Sequence, residues 1–336
     1  MGKFYGIISL REIKKEVFRD VVYEWEDQIA RIEKVPIVNV DNISVTERSD
    51  RNIFERIYSF VINKKQFNKL DKTKPIYFAF LTLVNDVLYV QNKNCIPVFI
   101  DVWNDRIDYV RKKMSNGTPF FVTSLDVYEK LKGASEKLDV YYLPLSVSDI
   151  WKSDLIPKKT IDLVQVGRKN EVLHNFALEY IKTHPTLEYV YSGKNGTTGD
   201  LKYFSTTRGE IGAINTRKDY MDLLKNSHIC LLSSPGVDSS RKNAEDIDFP
   251  TPRFYETAAS YCIMLTRHSN HKEFEIQGID SICYSINSYE QFSAIMDRIG
   301  AGEIEVDTKK YGNFIEKHLT STWYSEFKEK MKGFIS

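Results

Sequence analysis

Short apolar runs alternate along this chain with helix-length amphipathic segments, and that alternation is the strongest constraint on its fold. A run of a few apolar residues with no polar partner positions is the signature of a strand buried on both faces. Repeated with helices between, such runs specify an α/β fold with a parallel sheet. In the first half the expected strands are Phe4–Ser9, Ile37–Val40, Ile76–Phe80, Pro97–Val102, Pro119–Thr123 and Val140–Leu143. Helices are expected at Ile53–Asn63, Asp105–Met114 and Leu125–Lys132, the last capped by Ser124 and closed by Gly133. Ser146–Lys159 lacks a period and reads as a linker. A second series follows: Ile161–Val166, Glu171–Thr183, Leu187–Tyr191, Lys218–Asn226, Ile229–Ser233, Arg253–Ser260, Cys262–Thr266, Ser281–Tyr284 and a helix from Ser288 to Ile299.

The length of 336 residues calls for two domains. The boundaries we read are 1–150, 151–319 and a terminal helix at 320–336. In that helix Trp323, Phe327, Met331 and Phe334 recur at helical spacing, and the opposite face mixes Glu326, Lys328, Glu329 and Lys330. It reads as a helix packed on a domain surface, with at most peripheral membrane association.

Basic and acidic residues number 47 and 46, a balance that argues against nucleic acid as a partner. No apolar run reaches the roughly 18 residues of a membrane span, and mean hydropathy is −0.37. Arg11, Lys14 and Lys15 break any leader-like run, and Gly6 stands where a myristoylation signal wants Ser or Thr. A cytoplasmic location is expected, in which the sequons at Asn42, Asn116 and Asn195 carry little meaning. Cys95, Cys230, Cys262 and Cys283 are scattered in apolar contexts without C-x-x-C spacing, so buried thiols are expected and no metal site.

The segment Asp248-Phe-Pro-Thr-Pro-Arg-Phe-Tyr-Glu256 carries the chemistry. Thr251 suits an N-cap and Pro252 the first helical position. Arg253 then falls in the first turn, where free N–H groups already favour an anion. Glu256, three residues on, shares its face. A guanidinium for phosphate and a carboxylate for hydroxyls suit a nucleotide sugar. Gly167 and Arg168 open a helix after a strand, where a glycine lets a diphosphate approach and an arginine reaches it. Tyr191 and Gly193 lead into a loop fit to lie under a base, and Ser233 and Ser234 end another strand with two hydroxyls. Val237–Asp248 reads as a polar loop that orders on ligand. Neither G-x-G-x-x-G nor a Walker sequence occurs.

Three stretches, Asp162-Leu-Val-Gln-Val-Gly-Arg168, Tyr220 to Ser234 and Pro252-Arg-Phe-Tyr-Glu-Thr-Ala-Ala259, resemble the donor domain of GT-B glycosyltransferases, in particular bacterial enzymes that build surface glycans. The resemblance covers roughly residues 160–270. It implies two facing Rossmann-like domains, an acceptor domain then a donor domain, with the terminal helix crossing back to the first. It also implies transfer of a sugar from a nucleotide donor to a glycan or lipid-linked acceptor. In that family an E-x7-E pattern contacts sugar and ribose. Glu256 matches its second position, while Asp248 stands in the first, one methylene shorter, and Tyr261 replaces the usual small residue after the helix.

All six histidines follow residue 170, so a base in the first domain must be a carboxylate or another group. Asp101 and Asp105, at a strand end, are the candidates, with an N-cap as the plain alternative for Asp105. Glu24, Glu26 and Asp27 read as a solvated helix face. Arg168 and Arg253 are expected to stabilise the leaving diphosphate without metal or other cofactor. Two alternatives stay open, a sugar-nucleotide epimerase and a non-catalytic nucleotide-binding or scaffold protein of the same fold.

Overall fold

The computed structural model describes residues 3–40, 65–135, 137–153, 155–194, 201–238, 247–268 and 272–332. The expected helix Ile53–Asn63 lies outside them. The chain divides into two units, one of Met1–Pro144 with Trp323–Ser336, the other of Leu145–Thr322.

In the first unit six parallel strands run in the order β2-β1-β3-β4-β5-β6. They are β1 (Phe4–Ser9), β2 (Ile37–Asn39), β3 (Ile76–Leu83), β4 (Cys95–Asp101), β5 (Phe120–Val122) and β6 (Val140–Tyr142). β3 and β4 are buried over almost their whole length, which is why they read as unbroken apolar runs. Gly6 fits a close approach: a Cβ there would lie 2.5 Å from the Pro36 carbonyl oxygen. Helices α1 (Asp20–Glu33) and α3 (Leu125–Ala134) pack on this sheet, and α2 (Ile107–Lys113) packs beside α3. Ser124 Oγ caps α3 by accepting from the Val127 amide, but the helix runs past Gly133 to Ala134, so that glycine does not close it.

Seven strands in the order β10-β9-β8-β7-β11-β12-β13 form the second unit's sheet. They are β7 (Ile161–Gln165), β8 (Tyr189–Lys194), β9 (Leu201–Ser205), β10 (Gly209–Ala213), β11 (Ser227–Ser233), β12 (Ile263–Arg267) and β13 (Cys283–Ser285). The β9–β10 hairpin is antiparallel and was not expected from sequence. β10 is almost wholly exposed, so it has no buried apolar run to reveal it. Helices here are α4 (Glu171–Thr183), α5 (Arg217–Asn226), α6 (Pro252–Ala259), α7 (Lys272–Gln277), α8 (Tyr289–Gly300) and α9 (Thr308–His318). Asn170, Thr216, Ser288 and Asp307 cap α4, α5, α8 and α9 through their side chains. Leu163, Leu173, Tyr189, Leu231, Leu265 and Phe292 belong to one buried cluster between sheet and helices.

The segment expected to be a linker is partly core. Ser146, Val147 and Ser148 are buried, and Val147 exchanges backbone hydrogen bonds with His318 and Thr320, each 2.9 Å. Lys159 is tied as well, donating to the carbonyls of Ser260 (2.6 Å) and Lys225 (3.0 Å).

The last helix, α10 (Thr320–Met331), carries Trp323, Phe327 and Met331, all buried, as its periodicity implies. Phe327 packs 4.9 Å from Phe78 and 4.8 Å from Phe121 between ring centroids, within the first unit. Trp323 Nε1 donates to the Pro144 carbonyl. Among the described residues no helix is long and apolar enough to cross a membrane. Phe327→Ala should destabilise the first unit by about 3–5 kcal/mol; chemical denaturation of wild type and variant measures it, and a loss under about 1 kcal/mol would deny the helix its anchoring role.

Candidate functional site

Strand order locates the places where a ligand can reach the backbone. In the second unit the chain moves from β7 outward to β8, then crosses to β11 and continues the other way. The carboxyl ends of β7 and β11 therefore flank the topological switch, where open α/β sheets take ligands. α6 leads into the parallel strand β12, so its N-terminus lies at this same edge.

Arg253, in the first turn of α6, reaches the turn after β7. Its Nη1 donates to the carbonyls of Val166 (3.0 Å) and Arg168 (3.2 Å). Between them Gly167 sits at φ +66°, the left-handed region that favours glycine. Its amide donates to Tyr203 Oη (3.1 Å), and Ser192 Oγ donates to its carbonyl (2.5 Å). The structure thus joins Gly167, Arg168 and Arg253, with the Arg168 side chain exposed.

Thr251 occupies the N-cap position of α6 and Pro252 the next, yet the Thr251 hydroxyl makes no capping bond. The amide of Phe254 bonds instead to the Thr251 carbonyl at 3.1 Å. Thr251 Oγ1 and Ser234 Oγ are both buried with no hydrogen-bond partner among the described residues. Two unanswered hydroxyls at a strand-and-helix edge suit a polar ligand. Ser233, the last residue of β11, stands half-buried in register with Arg267, and Asp248 is buried.

Glu256 turns away from Arg253. Its carboxylate is 2 % exposed, with Oε1 paired to Arg217 Nη2 (2.8 Å) and Oε2 accepting from Tyr220 Oη (2.7 Å). Arg217 also lies over the Tyr220 and Trp151 rings at 5.2 and 5.9 Å. Both partners come from α5, so Glu256 locks α6 to α5.

Tyr191 and Gly193 do not open a loop. They lie within β8, which continues to Lys194 in antiparallel pairing with β9. A Cβ on Gly193 would strike Phe204 at 2.4 Å, so the glycine serves the hairpin's packing. Tyr191 packs 4.7 Å from His174 and 6.1 Å from Phe204. The segment Asn195–Asp200 lies outside the described residues.

Sequence reasoning missed Asp238 and Arg267. Asp238, at φ +53°, pairs with Arg267 at 2.5 and 2.8 Å and accepts from Asn170 Nδ2 at 2.9 Å. The Arg267 hydrogen bond, aided by Asn170, holds the Asp238 carboxyl below its ordinary range. The first residues after β11 are therefore pinned to the ends of β7 and β12; residues 239–246 of the expected ligand loop lie outside the described ones.

The first unit has its own switch, between β1 and β3. Here Glu26 departs from the solvated face read in the sequence, while Asp27 is exposed and Glu24 half-buried. Glu26 is fully buried; its Oε2 accepts from Ser9 Oγ (2.5 Å) and from Arg11 Nη2 (3.1 Å). Arg11 Nη1 pairs with Asp27 at 2.7 Å. Glu26 Oε1 is buried with no partner among the described residues. After β3, Asp86 forms a buried pair with Arg19 at 2.7 Å. Asp101 ends β4 opposite Leu83 and is half-buried. Asp105 is exposed, 3.4 Å from Arg106, and caps neither neighbouring turn, since Trp103 and Arg106 hold those positions.

No family model matches the sequence, and no curated protein does. Among solved structures, the pneumococcal O-GlcNAc transferase GtfA in complex with UDP and GlcNAc superposes with a TM-score of 0.51 at 12% identity, over 83% of this chain and 59% of that one. A mutant of S. aureus TarM in complex with Fondaparinux, alpha-GlcNAc-glycerol and UDP gives 0.53 at 9% identity, over 76% and 55%. The chain thus spans little more than half the length of these two. A UDP-GlcNAc 2-epimerase from Methanocaldococcus jannaschii reaches a TM-score of only 0.43 at 12% identity, over 91% and 93%, and carries no weight here. The fold is of the GT-B type, shared with these two transferase structures, an α/β architecture of two domains whose sheets are parallel but for the β8–β9–β10 edge.

The buried Glu26 makes a pH test. Desolvation, only partly offset by Ser9 and Arg11, pushes its carboxyl up to about 7 from the ordinary 4.5. The folded state then holds a proton that the unfolded state releases, so stability is full below pH 4.5 and falls as pH rises through about 7. The fall is on the order of 3 kcal/mol at most. Urea titrations at pH 5 and pH 8 should show wild type losing stability relative to Glu26→Gln; equal losses would remove Glu26 as the cause.

Proposed function

We propose that the chain is a glycosyltransferase that moves a sugar from a nucleotide donor to a glycan or lipid-linked acceptor. The observation that carries this reading is Arg253 bonded to both sides of the left-handed Gly167 turn at the sheet's switch point. The fold is consistent with it, and the two structures named above hold UDP, one with GlcNAc.

In this reading the donor diphosphate lies over Gly167, against the N-terminus of α6 and the hydroxyls of Ser234 and Thr251. Among the described residues Arg253 Nε and Nη2 have no protein partner, which leaves them for phosphate oxygens. As the glycosidic bond lengthens, negative charge gathers on the leaving diphosphate, and Arg253 with Arg168 meets it where it develops. No metal is required by that arrangement. Glu256 is given the ribose hydroxyls, which must then share its oxygens with Arg217 and Tyr220. Asp248, Ser233, Tyr191 and Gly193 are the remaining donor-side candidates, the last two as supports of the β8–β9 wall. The first unit takes the acceptor. Asp101 and Asp105 are the candidate bases at the end of β4, and the location is cytoplasmic.

Arg253→Ala should weaken nucleoside diphosphate binding by about 10- to 100-fold, the worth of a charged hydrogen bond, with the far-ultraviolet spectrum unchanged. Calorimetry with UDP, GDP, CDP and dTDP on wild type and variant decides it. Binding of none of them by wild type favours the scaffold reading. Release of free sugar or isomerised donor without an acceptor favours the epimerase.

A further inference from the structure

The geometry points to a divalent metal site of the zinc class formed by His268, Asp280 and Cys283, apart from the donor groups described above. The three side chains come from one crossover. His268 directly follows β12, Asp280 lies in the turn Ile279–Ser281, and Cys283 opens β13. One ligand atom from each lies within 4.8 Å of the other two.

The distances are compatible with a metal ion held by all three side chains. Asp280 Oδ1 is 3.3 Å and Cys283 Sγ 3.8 Å from the same atom, His268 Nε2. The Asp280 distance is long for a hydrogen bond to a ring nitrogen, whose preferred N–H···O length is about 2.9–3.0 Å, while the Cys283 contact is within the reach of a weak sulfur hydrogen bond. The first suits the edge of a tetrahedron and the second slightly exceeds it, so a bound ion would draw the Cys283 sulfur in. Bonds of about 2.0–2.1 Å to nitrogen, 2.0–2.2 Å to oxygen and 2.3 Å to sulfur separate the ligand atoms by about 3.3–3.6 Å. The His268 side chain is 3 % exposed and its ring is stacked on Phe274, centroids 4.4 Å apart and planes 5° from parallel. That packing fixes the ring with Nε2 facing the other two ligand atoms.

The donor set selects the ion. Imidazole and thiolate disfavour magnesium and calcium and favour zinc and its neighbours. Three protein ligands leave a fourth position for water. Binding breaks the Cys283 S–H bond, forms the sulfur–metal bond and releases one proton to solvent. The ion would tie the exit of β12 to the start of β13, beside Arg267, whose pair with Asp238 pins the chain after β11. The site uses none of the donor-binding residues, so it does not depend on the donor chemistry proposed above.

The test uses the full chain stripped with a chelator and titrated with Co²⁺, with Zn²⁺ competing. The expected result is one Co²⁺ per chain, a thiolate-to-cobalt charge-transfer band, and displacement by Zn²⁺. Cys283→Ser should abolish the band. Asp280→Ala, at a residue 45 % exposed, should weaken Co²⁺ binding about tenfold or more, at least what an outer-shell loss costs. A wild type without the band overturns the site, as does a band that persists in Cys283→Ser. Should that variant fail to fold, Asp280→Ala decides, and unchanged affinity overturns the proposal. Nucleoside diphosphate calorimetry is read separately, so failure of the transferase reading leaves the cobalt result standing.

Discussion

At the switch point of the second unit a guanidinium is bonded to backbone. Strand β7 ends in carbonyls that point past the sheet, and buried carbonyls need donors. Arg253 supplies one to Val166 and another to Arg168, and so fixes the turn around Gly167. Because Arg253 belongs to the first turn of α6, the same bonds set where that helix begins. Three residues on, Glu256 binds Arg217 and Tyr220 of α5. One helix of eight residues thus joins β7 on one side and α5 on the other. Its N-terminal amides are held at the switch point by groups that are not themselves amide acceptors. The Thr251 hydroxyl, which would ordinarily take one of those amides, does not do so.

What was legible in the sequence follows from burial. β3, β4, β7, β11 and β12 are covered on both faces, so each appears as a continuous apolar run. The β9–β10 hairpin is not covered in this way and left no such trace. α9 shows its stripe only through Tyr311, Phe314, Ile315 and His318, set among charged and small residues. Glu26 is more instructive. It lies four residues after Val22 and three before Ile29, on the buried face of α1 with Trp25. The helical period therefore placed this carboxylate inside, and its charge led the other way. For the site, Arg253 and Gly167 were legible because a first-turn arginine and a strand-end glycine are local signals. Arg217, Tyr220, Asp238 and Arg267 were not, because their partners are brought to them by strand order.

Tyr261 shows how a tyrosine is held at a left-handed position after α6. The resemblance places a small residue, usually glycine, after α6, and the backbone there has φ +53°. A left-handed conformation costs a non-glycine residue roughly 1–2 kcal/mol. The tyrosine is retained through contacts a glycine cannot make. Its ring stacks on Tyr311 at 6.2 Å, its hydroxyl donates to the Ser153 carbonyl at 3.2 Å, and the side chain is buried. Burial of an aromatic side chain outweighs the strain, since truncating one costs about 3–5 kcal/mol.

Each unit concentrates its polar anomalies at its own switch point, and the two sets differ in kind. At β1 and β3 the groups are carboxylates already matched by arginines, Glu26 with Arg11 and Asp86 with Arg19. At β7 and β11 they are an arginine held by carbonyls and hydroxyls that lack partners. The first set pairs each arginine with an acid, Arg11 also with Asp27 and Arg19 with Asp86. The second has donors in excess at a helix N-terminus, the condition for binding one. The local balance of donors and acceptors supports the proposed placement of a diphosphate in the unit that carries Arg253.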